Sequence, residues 1–241
     1  MHMRNWLVTT ERKQEESYKG IPVQADLELH PQAIALCRKY VPKGSRVLDV
    51  GAGPGAFSKR LAVEGYQVAA LDRNPDQWVP GDIPFVTLNL DSGMSDSIKE
   101  KFDAAVCLEV IEHVENPWKL LRDIYGLLNP GGILVLSTPN VTSFLSRLIF
   151  FRKGCFHQFC DEDVSYGHIH PLTDLELSVM AHRVGWRIVE KQPGGYLPVF
   201  DLSSLRLKSL IFNLLRGLAY LIAKGWKHGW CLLFVLEKPR S

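Results

Sequence analysis

Val47-Leu48-Asp49-Val50-Gly51-Ala52-Gly53-Pro54-Gly55 decides how this chain folds. An aliphatic run carries an acid near its end, then breaks into three glycines at alternate positions. Beyond Gly55 the period changes. Phe57, Leu61 and Val63 are apolar among Ser58, Lys59, Arg60 and Glu64, and Gly65 ends the run. This is the pattern of a buried strand, a glycine turn and a helix. Glycines permit a sharp turn and let a ligand approach the peptide planes, and the free N–H groups at the helix start are available to meet it.

The same alternation continues outward. Pro31 to Tyr40 predicts a preceding helix, closed by Pro42-Lys43-Gly44. Gln67 to Leu71 predicts a second strand ending in Asp72, and Phe85 to Leu88 a third, followed by Asn89, Leu90 and Asp91. Phe102 to Cys107 predicts a fourth, running into Leu108-Glu109-Val110-Ile111-Glu112-His113-Val114. A helix from Pro117 through Leu128, a turn at Asn129 to Gly132 and a fifth strand at Ile133 to Ser137 follow. Thr173-Asp174-Leu175-Glu176 is a capping box opening a helix that Gly185 closes. Trp186 to Glu190 and Trp230 to Leu236 read as strands, separated by a long amphipathic helix from Leu205 to Lys224. The pattern predicts an α/β fold with a doubly wound parallel sheet, and its closing pair predicts an antiparallel edge. Ligands of such sheets sit beyond the carboxyl ends of the strands, where Asp72, Asp91, Glu109 and Asn140 fall.

The 241 residues, 46% hydrophobic, suit one domain with insertions. A net charge of +2 gives no electrostatic footprint for nucleic acid. Cys37, Cys107, Cys155, Cys160 and Cys231 are odd in number and form no CxxC, which predicts a reducing, cytoplasmic setting without structural disulfides. The first residues lack the apolar core of a signal peptide, and no uncharged run reaches the ~20 residues of a membrane span.

A glycine turn alone also serves nicotinamide and flavin cofactors, so a dinucleotide oxidoreductase is an alternative. The spacing here is G-x-G-x-G rather than G-x-G-x-x-G, an acid stands two residues before the first glycine, and Asp91 follows the third strand. VLDVGAGPG, the Asp72 strand end, NLD at 89–91, LEVIEHV at 108–114 and LNPGGILVLSTPN at 128–140 together resemble the class I S-adenosylmethionine-dependent methyltransferases over about residues 30–190. Within that class, LEVIEHV is similar to the polyprenyl-quinone O-methyltransferase branch, and STPN with YGHIHPLT to methyltransferases of lipid-linked glycan and natural-product pathways.

The resemblance implies a Rossmann-like seven-stranded sheet in the order 3-2-1-4-5-7-6 with strand 7 antiparallel. It implies an arm at 1–29 and one methyltransferase domain at 30–241 with insertions at 141–171 and 202–229. It implies S-adenosylmethionine as cofactor and S-adenosylhomocysteine as product. Gly51, Ala52, Gly53 and Gly55 would then pack on the methionine part and ribose. Asp49 would hold the amino group, and Asp72, with Arg73 beside it, the ribose diol. Leu90 and Asp91 would flank the adenine, and Leu108 and Glu109 would line the floor. A non-catalytic cofactor-binding scaffold is the remaining alternative, and the intact Asp49, Gly51, Gly53, Gly55 and Asp72 speak against it.

A hydroxyl acceptor needs a base, and imidazole titrates near working pH. His168 is the first candidate, with His170 and His113 behind it and Tyr166 nearby to orient an acceptor. If their segment is helical, Glu109, Glu112 and His113 share a face, where a divalent ion could acidify a catechol-type hydroxyl. The favoured reading is that no metal binds. Cys155, His157 and Cys160 are zinc-type ligands without a recognised spacing.

Leu207, Leu210, Ile211, Leu214, Leu215, Leu218, Leu221 and Ile222 recur at helical spacing, with Arg206, Lys208, Arg216 and Lys224 opposite. Phe144 to Phe159 is likewise basic, aromatic and free of acids. Such segments, 144–159 and 205–224, suit peripheral contact with the inner membrane face, or packing on the sheet edge or a second subunit. The expected acceptor is therefore a small or lipid-linked molecule: a quinone precursor, glycan or natural product. No nucleic acid is expected, since no N-P-P-Y or D-P-P-Y tetrad follows the fourth strand. Oligomeric state is open.

Overall fold

The computed structural model describes residues 8–9, 17–26, 28–94, 97–201, 207–226 and 228–240. Its centre is a seven-stranded sheet. The strands are β1 (Arg46–Val50), β2 (Gln67–Asp72), β3 (Phe85–Thr87), β4 (Phe102–Cys107), β5 (Leu128–Pro139), β6 (Arg187–Gly194) and β7 (Cys231–Glu237). Their order is β3-β2-β1-β4-β5-β7-β6, with β7 antiparallel to both neighbours and the other pairings parallel. The predicted order and edge are found. The predicted turn at 129–132 is instead continuous with β5, because Gly131 N–H donates to the Lys238 carbonyl (2.7 Å) and Lys238 N–H to the Gly132 carbonyl (2.9 Å). Pairing with the chain's last described segment keeps this stretch in the strand, with Gly131 at φ +82°.

Residues along each strand alternate between two cores, as the strand's period of two requires. Leu48, Val50, Leu134, Leu136 and Phe234 face α3 (Pro117–Leu127) and α5 (Asp174–Val184). Val47, Val106, Val135 and Val235 face α1 (Leu29–Tyr40) and α2 (Ala56–Val63). The Thr173 side chain accepts from Glu176 N–H and Gly185 closes α5 at φ 107°, as the capping pattern predicts. Two short pairings lie outside the sheet: Ser17–Tyr18 with Ile21–Pro22, and Val8–Thr9 with Phe200–Asp201.

The insertions build a third layer from α4 (Phe144–Lys153) and α6 (Leu207–Ile222). Here the outward polar face expected of the amphipathic helix is reversed. Arg216, expected outside, is 7% exposed, while the eight aliphatic residues from Leu207 to Ile222 are 43–80% exposed. Arg206 lies outside the described residues. Polar hooks set this orientation. Arg216 donates to the backbone carbonyls of Val199 (2.8 Å) and Pro198 and lies over the Phe144 and Phe212 rings. Asn213 exchanges hydrogen bonds with the Asp201 backbone, at 2.9 and 2.7 Å. Turning the helix over would leave these carbonyls unpaired, at about 1–3 kcal/mol each.

Arg216→Ala is therefore expected to cost about 3 kcal/mol in urea unfolding, whereas Leu214→Ala should stay within about 0.5 kcal/mol of the parent. Equal costs would place the leucines, not the arginine, inside.

Candidate functional site

Strand β1 ends against β2 through two backbone bonds, Gly51 N–H and Ala52 N–H to the Leu71 carbonyl, at 2.9 and 3.0 Å. Gly51 has φ +74°, and a Cβ there would lie 2.5 Å from a Val110 methyl carbon. The segment after β4 thus packs directly on the turn. Gly55, at φ +95°, caps α2. Gly53 N–H donates to Asp72 (2.9 Å), whose other carboxylate oxygen accepts from Asn74 N–H (3.0 Å), so one acid ties the turn to the end of β2.

These elements wall a cavity of about 900 Å³ at the carboxyl ends of β1, β2 and β4. Asp49, Gly51, Ala52, Gly53, Asp72, Arg73, Leu90, Asp91, Leu108 and Glu109 all line it, as do His113, Tyr166 and His168. Gly55 does not line it directly; it sets the start of α2 behind the turn. His170 also stands outside the lining: its Nε2 meets the Glu115 carbonyl at 3.3 Å, and its backbone N–H donates to the Glu112 carbonyl.

The charge of the cavity is one-sided. Asp26, Asp49, Asp72, Asp91 and Glu109 line it, against Arg73 as the single Lys or Arg among the described lining residues. A pyrophosphate would be repelled there, while a sulfonium, an ammonium and ribose hydroxyls find acceptors. Asp49 is 3% exposed, and burial pushes its carboxyl up to about 7, against the opposing effect of the Ser58 hydroxyl that donates to it at 2.5 Å. Burial also raises Glu109 to about 7, opposed by the Ser137 hydroxyl at 2.7 Å. Asp91 accepts from Glu115 N–H at 2.8 Å, so one of its oxygens is committed to holding the post-β4 segment.

That segment is a turn, not a helix. Glu109 sits at φ +54° and faces Ser137, while Glu112 is fully buried against Thr138, at 3.4 Å. Glu109 is consequently absent from the cluster that forms. Glu112, His113 and His168 bring ligand atoms within 4.8 Å of one another, and Glu112 Oε1 is buried without a hydrogen-bond partner. Burial, then the neighbouring His168, lower the His113 pKa and keep its imidazole neutral. His168 Nδ1 lies 2.7 Å from the Gln158 carbonyl. A carbonyl only accepts, so Nδ1 carries the hydrogen and Nε2 the lone pair.

Cys155 and Cys160 form a disulfide, which corrects the expectation of a chain without one and removes two zinc-type ligands. Their Cα atoms come within 5.2 Å because the chain doubles back through Gln158 at φ +69°. Cys37, Cys107 and Cys231 are free and buried.

Sequence reasoning missed the wall contributed by the chain before α1 and by the first turn of that helix. Gln24, Asp26 and His30 line the cavity. His30 is held to about 3 by burial, and its Nδ1 is buried without a hydrogen-bond partner. No strand end or glycine marks these positions in the sequence. Gln158 and Trp230 were likewise invisible, being brought in by the insertions.

The buried Asp49 gives a signed pH dependence. Were it to face a cofactor ammonium, as the resemblance implies, the ionised carboxylate would attract that group and the protonated one would not. Affinity for S-adenosylhomocysteine, read by titration calorimetry, should rise about tenfold as pH rises from about 6 to about 8, through its pKa. Asp49→Asn should weaken binding and flatten that rise. A rise that persists in the variant assigns it to another group.

The profile of a family described as methyltransferase domain matches residues 24–191. A ubiquinone biosynthesis O-methyltransferase from Xanthomonas axonopodis pv. citri is 39% identical over 140 residues, which cover 48% of this chain and 56% of that protein. The chain spans about half the length of the curated relatives it matches. The structure of a SAM dependent methyltransferase from Archaeoglobus fulgidus superposes with a TM-score of 0.59 at 18% identity, covering 87% of this chain and 94% of that one. The 1,6-didemethyltoxoflavin-N1-methyltransferase of Burkholderia thailandensis, solved with S-adenosylhomocysteine, gives 0.56 at 19%, covering 87% and 78%. At such identities the likeness is one of fold. An oxidoreductase is set aside by the acidic cavity and by the matched family together. By that matched span, the chain belongs to the methyltransferase domain family, in its class I S-adenosylmethionine-dependent group.

Proposed function

We propose that this chain methylates a hydroxyl of a quinone precursor or another lipid-linked acceptor. The observation that carries the reading is the acidic cavity whose acceptor end meets His168, with Nδ1 tied to the Gln158 carbonyl and Nε2 left as a base. The name of the curated relatives, ubiquinone biosynthesis O-methyltransferase, supports an aromatic hydroxyl. The proposal assigns Asp49 to the cofactor ammonium, Asp72 and the adjacent Arg73 to the ribose end, Leu90 and Asp91 to the adenine, and Gly51 to Gly55 to close approach. Leu108 and Glu109 form the floor.

When bound, the cofactor would supply an electrophilic methyl group and keep the carbon–sulfur electron pair as a neutral thioether. The chain's own part would be to hold the acceptor oxygen in line and to take the hydroxyl proton on His168 Nε2. The sulfonium supplies the driving force, so the protein's part is alignment and proton removal. His113, kept neutral beside His168, and Tyr166 orient the acceptor. His170, outside the cavity lining, has no part in this scheme.

The same proposal treats residues 30–241 as one catalytic domain with 1–29 as an N-terminal arm, of which Gln24 and Asp26 line the cavity. It places the enzyme in the cytoplasm, peripheral to the inner membrane face. Among the described residues no helix is long and apolar enough to cross a membrane.

His168→Ala should lower turnover on a tail-free catechol about a hundredfold or more, with S-adenosylhomocysteine affinity unchanged. Full activity in that variant rejects His168 as the base.

The orphaned Glu112 Oε1, 3.9 Å from His113 Nε2, favours one second reading. Glu112, His113 and His168 would hold a divalent cation, which supplies acidification of a catechol hydroxyl when bound. Chelation followed by Mn²⁺ addition separates the two. Activity indifferent to chelator keeps the free base. Activity lost and restored, with Mn²⁺ binding abolished by Glu112→Gln, installs the cation.

A further inference from the structure

The reversed α6 leaves an aliphatic stripe with nothing in the chain covering it among the described residues. The eight Leu and Ile side chains from Leu207 to Ile222 are each 43–80% exposed. At 3.6 residues per turn they occupy one side of the helix, with the exposed Lys208 on its flank and the exposed Lys224 two residues past its end. α4 packs against α6, and its end exposes Phe150 and Phe151, at 47% and 91%, beside the exposed Arg152. Arg147 locks the two helices together by donating to the Thr142 and Lys224 carbonyls, at 2.8 and 2.7 Å. No Asp or Glu occurs between 141 and 160 or between 202 and 236.

An apolar stripe of this extent is a binding surface. Its charge decides the partner. A two-fold pairing of copies sets like patches together, so Lys208, Lys224 and Arg152 of one copy would approach those of the other with no acid in either segment to answer them. An anionic bilayer supplies both hydrocarbon for the stripe and negative headgroups for its flanks. A groove of about 290 Å³ opens beside Leu214, Leu218 and Leu221, lined also by Val199 and Phe200, and is apolar enough for an acyl chain. Trp230 joins this layer to the site, since it packs with the Phe144 and Leu197 cluster and also lines the cofactor cavity.

We propose that the outer face of α6, with the Phe150–Arg152 end of α4, docks on an anionic membrane surface and so presents the cavity to lipid-borne acceptors. This deepens, and for its acceptor rests on, the lipid-linked reading above.

Sedimentation of the full chain with vesicles tests it, using phosphatidylcholine alone or with an equal part of phosphatidylglycerol. The mixed vesicles should bind at least about tenfold more tightly. The double variant Leu214→Glu/Leu218→Glu should lose at least about tenfold of that binding, with unchanged affinity for S-adenosylhomocysteine showing that it is folded. Absent binding by the parent chain, or undiminished binding by the variant, overturns the proposal. So does a dimer in analytical ultracentrifugation that the double variant abolishes, since the second copy is then the occupant. Methyl transfer to a tail-free catechol, measured on the same samples, reports on the function independently of docking.

Discussion

Gly51 has no side chain, and Val110 occupies the space one would need. A Cβ at Gly51 would stand 2.5 Å from Val110, so the absence of an atom lets the segment after β4 lie on the turn after β1. Much of the site follows from that contact. With Val110 seated, Glu109 takes φ +54° and turns to Ser137, Glu112 lies in the core, and His113 reaches the cavity wall. The two backbone bonds from Gly51 and Ala52 to Leu71 fix the same turn against β2, which brings Asp72 under Gly53. Close backbone approach, rather than any one polar contact, sets the geometry.

The price of this arrangement is a concentration of buried acid. Asp49 and Glu109 are both raised to about 7, and burial pushes Glu112 well above the usual carboxylate range, with the Glu109 charge adding to the effect. Like charges crowded out of water favour their protonated forms. Such a wall is costly while it faces only itself and becomes favourable when it faces a cation. That is a physical reason for a glycine turn of this kind to select a sulfonium amino acid over a pyrophosphate, independent of the spacing of its glycines.

The insertions obey a different logic. In the sheet, apolar residues are inside because burial of each contributes about 1.5–3 kcal/mol. In α6 the docking side is chosen by Arg216 and Asn213, which meet backbone carbonyls and amides that would otherwise be orphaned. Eight aliphatic residues are left outside as a consequence. The Cys155–Cys160 link belongs to the same layer, and the loop it closes carries the Gln158 carbonyl that sets the tautomer of His168.

The sequence by itself determined the alternation of strands and helices from 46 to 137, because period and glycine signals are local and agree with one another there, and its closing strand pair pointed to the antiparallel edge, while the order of the strands followed from the family resemblance. It also determined that Asp49, Asp72, Asp91 and Glu109 share one end of that sheet, since each closes or follows a parallel strand. Only the tertiary structure decided which side of α6 faces inward, that Glu109 leaves the company of Glu112 and His113, that Cys155 meets Cys160, and that Gln24, Asp26 and His30 complete the wall. Those outcomes depend on partners far apart in the chain, on backbone groups that every residue carries, and on turns whose direction no periodicity encodes.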